Sequence, residues 1–367
     1  MKYLFINVVA GIGSTGRIAA EKCRELQAQG HECVLAYGRA ENGCEGIRTY
    51  RIGTSLDYRM HGILTRFFDL HGFGSVEATK RFLKWIREYD PDVIWLHNIH
   101  GYYINVELLF DYLRTCGKEI YWTLHDCWAF TGHCSHFMYV GCSQWQTRCE
   151  HCPQTHEYPA CYGLANVKRN YDRKKRAFTG IPNLKIITPS QWLADNVKKS
   201  FLGEYPIIVK KNKIDTEIFK PTPSDFRKQH GLEDKIMLLG VAAKWTPRKG
   251  FADIIRLPEL LGEKYRLVLV GLSQEQLQHL PPNIIGIEKT QNAASLAAIY
   301  TAADVFVNTS YEENYPTVNL EAEACGTPVI SYDTGGSRET LHDPRSVLVE
   351  TGNLGKLVEE IRTKGKA

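Results

Sequence analysis

The 367-residue chain has no apolar stretch that could span a bilayer. Its longest runs, such as Ile236 to Ala243, fall far short of the roughly 20 residues a transmembrane helix needs. It also lacks an export signal. After Met1-Lys2, the segment Tyr3 to Ala10 carries Asn7 in its middle and reads as a first buried strand. A chain without either feature is expected in the cytoplasm. Excess charge is small: the formal net charge is only +4, so bulk electrostatics give no support for nucleic-acid binding. No low-complexity tract and no short repeat breaks the pattern. With 43% hydrophobic and 23% charged residues, what remains is an ordinary globular composition, on a chain long enough for two domains.

The chain does have a repeated strand-helix alternation. Residues 3–9 are an apolar run followed by a glycine-rich turn, residues 16–29 have helical spacing, and Gly30 ends that helix before a second strand at Glu32 to Tyr37. Phe82, Trp85, Ile86 and Tyr89 share one helix face, Asp90-Pro91 stops it, and strands follow at Val93 to Leu96, Ile120 to Leu124 and Lys185 to Thr188. The alternation restarts with strands at 236–243, 266–270, 284–287, 305–308 and 328–332. Two successive α/β units, each a parallel sheet covered by helices, are the predicted architecture. The boundary falls in Lys211 to Pro223, giving domains of 1–213 and 214–367, with a cysteine-rich insertion at 127–161 in the first.

Gly11, Gly13 and Gly16 form G-x-G-x-x-G between the first strand and a helix, where backbone N–H groups can approach an anion. The match alone is weak, and the alternative is that these glycines only make a tight turn. A nicotinamide-dependent enzyme would place an acid at the end of the second strand. Here the strand ends Tyr37-Gly38-Arg39, so that reading survives only with Arg39 on an NADP phosphate.

In the second half, Glu313 and Glu321 bracket the string Asn314-Tyr315-Pro316-Thr317-Val318-Asn319-Leu320. Pro316 suits the first turn of a helix running from about Thr317 into Cys325. Glu313 then stands just before the helix and Glu321 about one turn inside it. A diphosphate is expected on the N–H groups of Asn314 to Thr317, with a carboxylate on either side for sugar hydroxyls.

Together with Arg248-Lys249-Gly250 and Gly335-Gly336-Ser337-Arg338-Glu339, the E-x7-E string resembles the retaining glycosyltransferases of family GT4. The segment Thr123 to Cys134 resembles the subgroup that builds exopolysaccharides of the colanic-acid type. The resemblance covers nearly the whole chain. It implies the GT-B fold, two facing Rossmann-like domains with a donor cleft between them, and transfer from a UDP- or GDP-sugar to a glycan or lipid-linked acceptor. It further implies that Lys249 pairs with the donor diphosphate and that Lys244 is a second phosphate cation. Glu313 would hold donor-sugar hydroxyls and Glu321 the ribose, while His125 reaches the transferring sugar. The base would lie near Glu288 to Thr290. Catalysis in this class needs no metal, since lysines and a helix N-terminus neutralise the leaving group. His125 or Asp126 acting as a base is a hypothesis. A non-catalytic sugar-nucleotide-binding protein of the same fold stands as the alternative class.

Two departures from the family pattern stand out. Lys213 replaces the usual glycine of Asn-Gly-Ile-Asp, and Ala367 closes the chain soon after the helical stretch 354–362, where relatives add a crossover helix.

Six of the eleven cysteines fall between Cys127 and Cys161. Cys134, Cys142, Cys149 and Cys152, spaced C-x7-C-x6-C-x2-C, read as a structural zinc set, or else as buried free thiols or oxidation-prone pairs. Two segments read either as ordinary helix faces or as membrane-facing surfaces: Leu56 to Phe73, rich in aromatic, apolar and basic residues, and the basic run Lys168 to Arg176.

Overall fold

The computed structural model describes residues 1–364. The chain forms two compact units, Met1–Lys211 and Asn212–Ala367, so the boundary lies two residues ahead of the expected one. Residues 365–367 of the expected second domain lie outside the described residues.

The first unit contains strands β1 (Lys2–Ala10), β2 (Glu32–Glu41), β3 (Arg48–Arg51), β4 (Val93–Leu96), β5 (Glu119–Thr123), β6 (Leu184–Thr188) and β7 (Ile207–Val209). They form one parallel sheet in the order β3-β2-β1-β4-β5-β6-β7. Helices α1 (Gly13–Ala28), α2 (Ser55–Phe68), α3 (Val76–Tyr89), α4 (Val106–Thr115), α5 (Val167–Phe178) and α6 (Gln191–Lys199) lie between the strands in sequence. Side chains alternate across the sheet, as period-two geometry demands. Leu4, Ile6, Val34 and Ala36 join one core, while Phe5, Cys33 and Leu35 join another with Ala19, Ala20 and Cys23 of α1. Burial on both faces explains why these strands read as near-continuous apolar runs.

The second unit repeats the plan. Strands β8 (Ile236–Val241), β9 (Tyr265–Val270), β10 (Ile284–Ile287), β11 (Val305–Asn308), β12 (Val329–Tyr332) and β13 (Val347–Val349) form a parallel sheet in the order β10-β9-β8-β11-β12-β13. Helices α7 (Phe226–Gln229), α8 (Phe251–Ile254), α9 (Leu257–Leu261), α10 (Gln274–Gln278), α11 (Ala293–Ala302), α12 (Thr317–Ala324) and α13 (Leu354–Lys364) complete it. Leu238, Leu267, Leu269 and Val307 face one core; Met237, Leu239, Val268 and Phe306 face the other.

In both sheets the order reverses beside the first strand, between β1 and β4 and between β8 and β11. In open α/β sheets the crevice at the carboxyl ends of the strands flanking such a reversal is where ligands bind. Gly13 and Gly16 follow β1, Lys244 and Lys249 follow β8, and Glu313 to Glu321 follow β11, while His125 and Asp126 follow β5 and Thr290 follows β10.

Three short strands had no clear sequence signal: β3, reading RTYR, and the three-residue β7 and β13. All three are edge strands with at most one buried residue; β3 has no apolar run, and the runs IIV and VLV are only three residues long. Lys213 is not in the left-handed backbone region that a glycine would permit.

Candidate active site

In the second unit, the loop after β8 turns through one 3-10 turn, Pro247–Lys249, and ends at Gly250, whose φ is +68°. A Cβ at Gly250 would stand 2.0 Å from the carbonyl oxygen of Thr309, the residue after β11, so only glycine lets the two loops meet. That meeting brings Lys249 Nζ to 2.5 Å from Glu313 Oε1, with the side chains 23% and 11% exposed. Burial works against charge on Glu313. The Lys249 ammonium, a Ser310 hydrogen bond and the Arg248 charge outweigh it and hold the carboxyl below its usual range. Arg248 in turn approaches the buried Glu312 at 3.7 Å.

Gly335, φ +56°, supports the same loop from β12: a Cβ there would lie 1.6 Å from the Glu313 carbonyl oxygen, to which Gly336 N–H also donates at 3.3 Å. Asn314 and Tyr315 then lead into α12, which runs Thr317–Ala324, close to the expected span. Pro316 is the N-cap residue, directly ahead of the helix start at Thr317. Its φ of −70° and ψ of 102° are extended, because the chain is still turning out of the loop. The N-cap residue makes no side-chain cap hydrogen bond, so the first-turn N–H groups keep their partial positive charge.

Glu321 lies on the second turn and its Oε2 accepts a hydrogen bond of 3.1 Å from the buried Tyr300 hydroxyl of α11. Asn319, fully buried, accepts from Asn308 of β11 and donates to Thr340, both at 3.0 Å, which pins α12 to the sheet. Sequence reasoning missed Tyr300, Asn308 and Asn319. A polar residue in an otherwise apolar run such as VFVN was the available signal for Asn308. Lys244 is exposed just beyond β8, beside Trp245, Ser273 and Gln276. Thr290 is half-buried in the loop after β10, and its neighbour Glu288 accepts from Gln274.

In the first unit, Gly11 (φ +67°) makes the turn after β1, since a Cβ would stand 2.0 Å from the Asn42 carbonyl oxygen. Gly13 opens α1 with φ +63° and open space around it, and Gly16 packs its backbone against Val9 of β1. α1 also has no side-chain cap.

His125 follows β5 and stands 3.0 Å, Nε2 to Nδ1, from His97, which follows β4. Burial lowers the His125 pKa to about 4, with His100 adding to the effect and Asp126 opposing it, so the ring is neutral at pH 7. Asp126 accepts from His100 Nε2 at 3.0 Å and from Trp128 N–H at 2.9 Å. Burial opposes its charge, yet the His100 contact holds its pKa well below the usual carboxylate range. Tyr158 donates to the other His100 nitrogen at 3.2 Å. The His97–His125 and Asp126–His100–Tyr158 groupings were not foreseen, because their members lie up to 58 residues apart.

The 127–161 insertion holds two 3-10 turns, Trp128–Phe130 and Gln144–Gln146. Its Trp145 packs against Phe130 and Phe137, and all three belong to the unit's main apolar core. Two buried polar contacts anchor it. His133 donates to Asp69 at 2.6 Å, and Lys174 of α5 donates to the carbonyls of Trp128 and Thr131 at 2.8 and 3.1 Å.

The expected zinc set is not assembled. Among the described residues no group of three or more His, Cys, Asp or Glu is placed to hold a metal ion. Cys134 and Cys149 are buried in the unit's apolar core, while Cys142 and Cys152 pack against it. No described helix is long and apolar enough to cross a membrane.

Residues 15–218 match the family described as Glycosyltransferase Family 4, and residues 224–363 match Glycosyl transferases group 1. WcaC of Escherichia coli (strain K12), named as a colanic acid biosynthesis glycosyl transferase, is 25% identical over 98% of this chain and 90% of its own. Among solved structures, sucrose-phosphate synthase from Thermosynechococcus elongatus superposes with a TM-score of 0.71 at 16% identity, over 99% of this chain and 89% of that one. Anabaena Alr3699/HepE in complex with UDP-glucose gives a TM-score of 0.67 at 16% identity, over 99% and 89%. The shared fold is GT-B.

Proposed function

The chain belongs to glycosyltransferase family 4 and is a glycosyltransferase, and we propose that it transfers a sugar from a nucleotide-diphosphate sugar, with retention, to a glycan or lipid-linked acceptor in surface-polysaccharide synthesis. The observation that carries this reading is the Lys249–Glu313 pair beside the uncapped start of α12, at the strand reversal of the second sheet. A UDP-sugar donor is favoured by the neighbour that binds UDP-glucose; a GDP-sugar is the other candidate.

Breaking the bond between the sugar's anomeric carbon and its phosphate oxygen puts negative charge on the departing diphosphate. Lys249, Lys244 and the N–H groups from Asn314 to Thr317 are assigned to that charge; Pro316 has no N–H and contributes shape only. Fixed cations and dipoles do this without reorganising at the moment of reaction. Glu313, kept ionised by Lys249, accepts hydroxyls of the donor sugar. Glu321, oriented by Tyr300, accepts those of the ribose, and Thr290 faces the base.

On the acceptor side we assign His125 and Asp126. Their protonation argues against either as a strong base: His125 is neutral with low basicity, and Asp126 already accepts from His100 and Trp128. The acceptor proton therefore passes to the leaving phosphate oxygen as the new bond forms on the same face. Gly13 and Gly16, at the start of α1, are assigned to donor binding. The reaction is placed at the inner face of the membrane, where a lipid-linked acceptor is met.

A thermal-shift screen against UDP- and GDP-sugars tests the assignment. A true donor at a hundred times its dissociation constant stabilises the protein by about 2.7 kcal/mol. If no sugar nucleotide raises the melting temperature, the proposal fails.

A further inference from the structure

Helix α2 is amphipathic the wrong way round. Thr54 caps it in a capping box with Asp57, so its start is well defined. The side facing the protein carries His61, Gly62 and Thr65. Leu56, Met60, Ile63 and Phe67 recur at intervals of four, three and four, which sets them on one stripe of the helix. All four are exposed, Leu56 at 68% and Phe67 at 56%. A helix of a globular domain normally buries that stripe, and among the described residues none covers it.

The tertiary structure extends the stripe with a segment about a hundred residues further on. Tyr162 N–H donates to Arg66 O at 2.7 Å and Leu164 N–H to Phe67 O at 2.8 Å, so 162–164 runs along the end of α2. Gly163 permits the approach: a Cβ would stand 2.3 Å from the Phe67 carbonyl oxygen. The result adds Tyr162 and Leu164, 65% and 69% exposed, to the apolar surface. Asn166 ties the start of α5 to it, donating to Phe68 O at 2.9 Å.

Cations rim this surface. Arg59 and Arg66 flank the stripe on α2, and Lys168 and Arg169 stand exposed on the first turn of α5. Lys168 is shared with Glu150 at 3.0 Å, and Asp57 is taken up by the cap and by Arg81 at 3.6 Å. Basic residues on a helix's first turn oppose its dipole, so α5 gains nothing from them by itself.

We propose that the outward face of α2, with residues 162–169, is a docking surface for an anionic lipid bilayer. The apolar stripe enters the headgroup boundary and the four cations meet lipid phosphates. This deepens the lipid-linked acceptor reading above and rests on it for its purpose, since it holds the acceptor domain where such a substrate resides.

Co-sedimentation of the full chain with vesicles tests it. The protein should pellet with phosphatidylcholine mixed with phosphatidylglycerol and stay in solution with phosphatidylcholine alone. I63E/F67E should abolish pelleting. Removing Arg59 and Arg66 as R59A/R66A should weaken binding about fivefold per charge, the equivalent of about 1 kcal/mol each. That milder variant decides the matter if the double glutamate variant does not fold. Both should keep the wild-type donor-induced thermal shift in vesicle-free buffer.

The proposal is overturned if the wild type never pellets or if both variants pellet like wild type. It is also overturned if the wild type is a dimer that I63E/F67E splits, because a second copy then covers the face. A wild type that shows the donor shift but never pellets would sink the docking surface alone. A missing donor shift with intact vesicle binding would sink the catalytic reading alone.

Discussion

Replacing Lys249 with alanine separates two consequences of one pair. In the wild type the ammonium lies 2.5 Å from Glu313 Oε1, with both side chains largely out of water. Truncating one partner of a buried, hydrogen-bonded charge pair costs roughly 2–5 kcal/mol. Ser310 and Arg248 also act on Glu313, so the low end applies, about 2 kcal/mol, which for a unit of this size lowers the melting temperature by about 4–8 °C. Turnover should fall further, by about 10²–10³, as for the loss of one preorganised group facing the developing charge.

The pH dependence carries a sign. Glu313's folded pKa lies below its unfolded value, so its contribution is fully present above the unfolded value and lost as pH falls through the folded one. Without Lys249, burial is the leading influence and the folded value rises. The stability gap between wild type and Lys249→Ala should therefore widen as pH rises from about 4 to 7. Adding Glu313→Gln to Lys249→Ala removes the stranded charge and should restore most of the stability but none of the turnover. Scanning calorimetry across that range, with nucleotide-diphosphate release measured alongside, checks both arms. A gap that does not change with pH, or a double variant no more stable than the single, would refute the reasoning.

Three further outcomes follow from the geometry. Tyr300→Phe removes the hydroxyl that holds Glu321 and should weaken donor binding by about 1–1.5 kcal/mol, raising the donor KM with little change in kcat, as steady-state kinetics would show. Gly335→Ala forces a Cβ to within 1.6 Å of the Glu313 carbonyl oxygen and should abolish the donor-induced thermal shift. Gly262→Ala, also at positive φ but with open space around it, should cost only backbone strain and leave that shift intact. Burial holds the Lys174 pKa down at about 7, so the folded state binds fewer protons than the unfolded one from there to the ordinary lysine value. Wild type should therefore gain stability relative to Lys174→Met as pH rises from about 7 to 10, and denaturant midpoints across that range measure it.

The parallel sheets were legible because strands buried on both faces write themselves as apolar runs, and glycines and prolines punctuate them. Residues 3–9, 236–243 and 305–308 needed no partner information. The string from Glu313 to Glu321 was legible too, because its parts are contiguous and one helix start organises them. Local sequence thus determined the strands, the helices and the chemistry that hangs on a single turn.

What it could not contain were distances between segments remote in the chain. Lys249 meets Glu313 only because Gly250 and Thr309 abut, and His100 meets Asp126 and Tyr158 only because β4, β5 and the insertion end together. The four cysteines had a suggestive spacing, yet spacing does not fix where thiols point, and among the described residues they form no group placed to hold a metal ion. Tertiary packing alone decided these matters, since a side chain's partner is set by which strand ends lie side by side, and strand order is a property of the whole sheet.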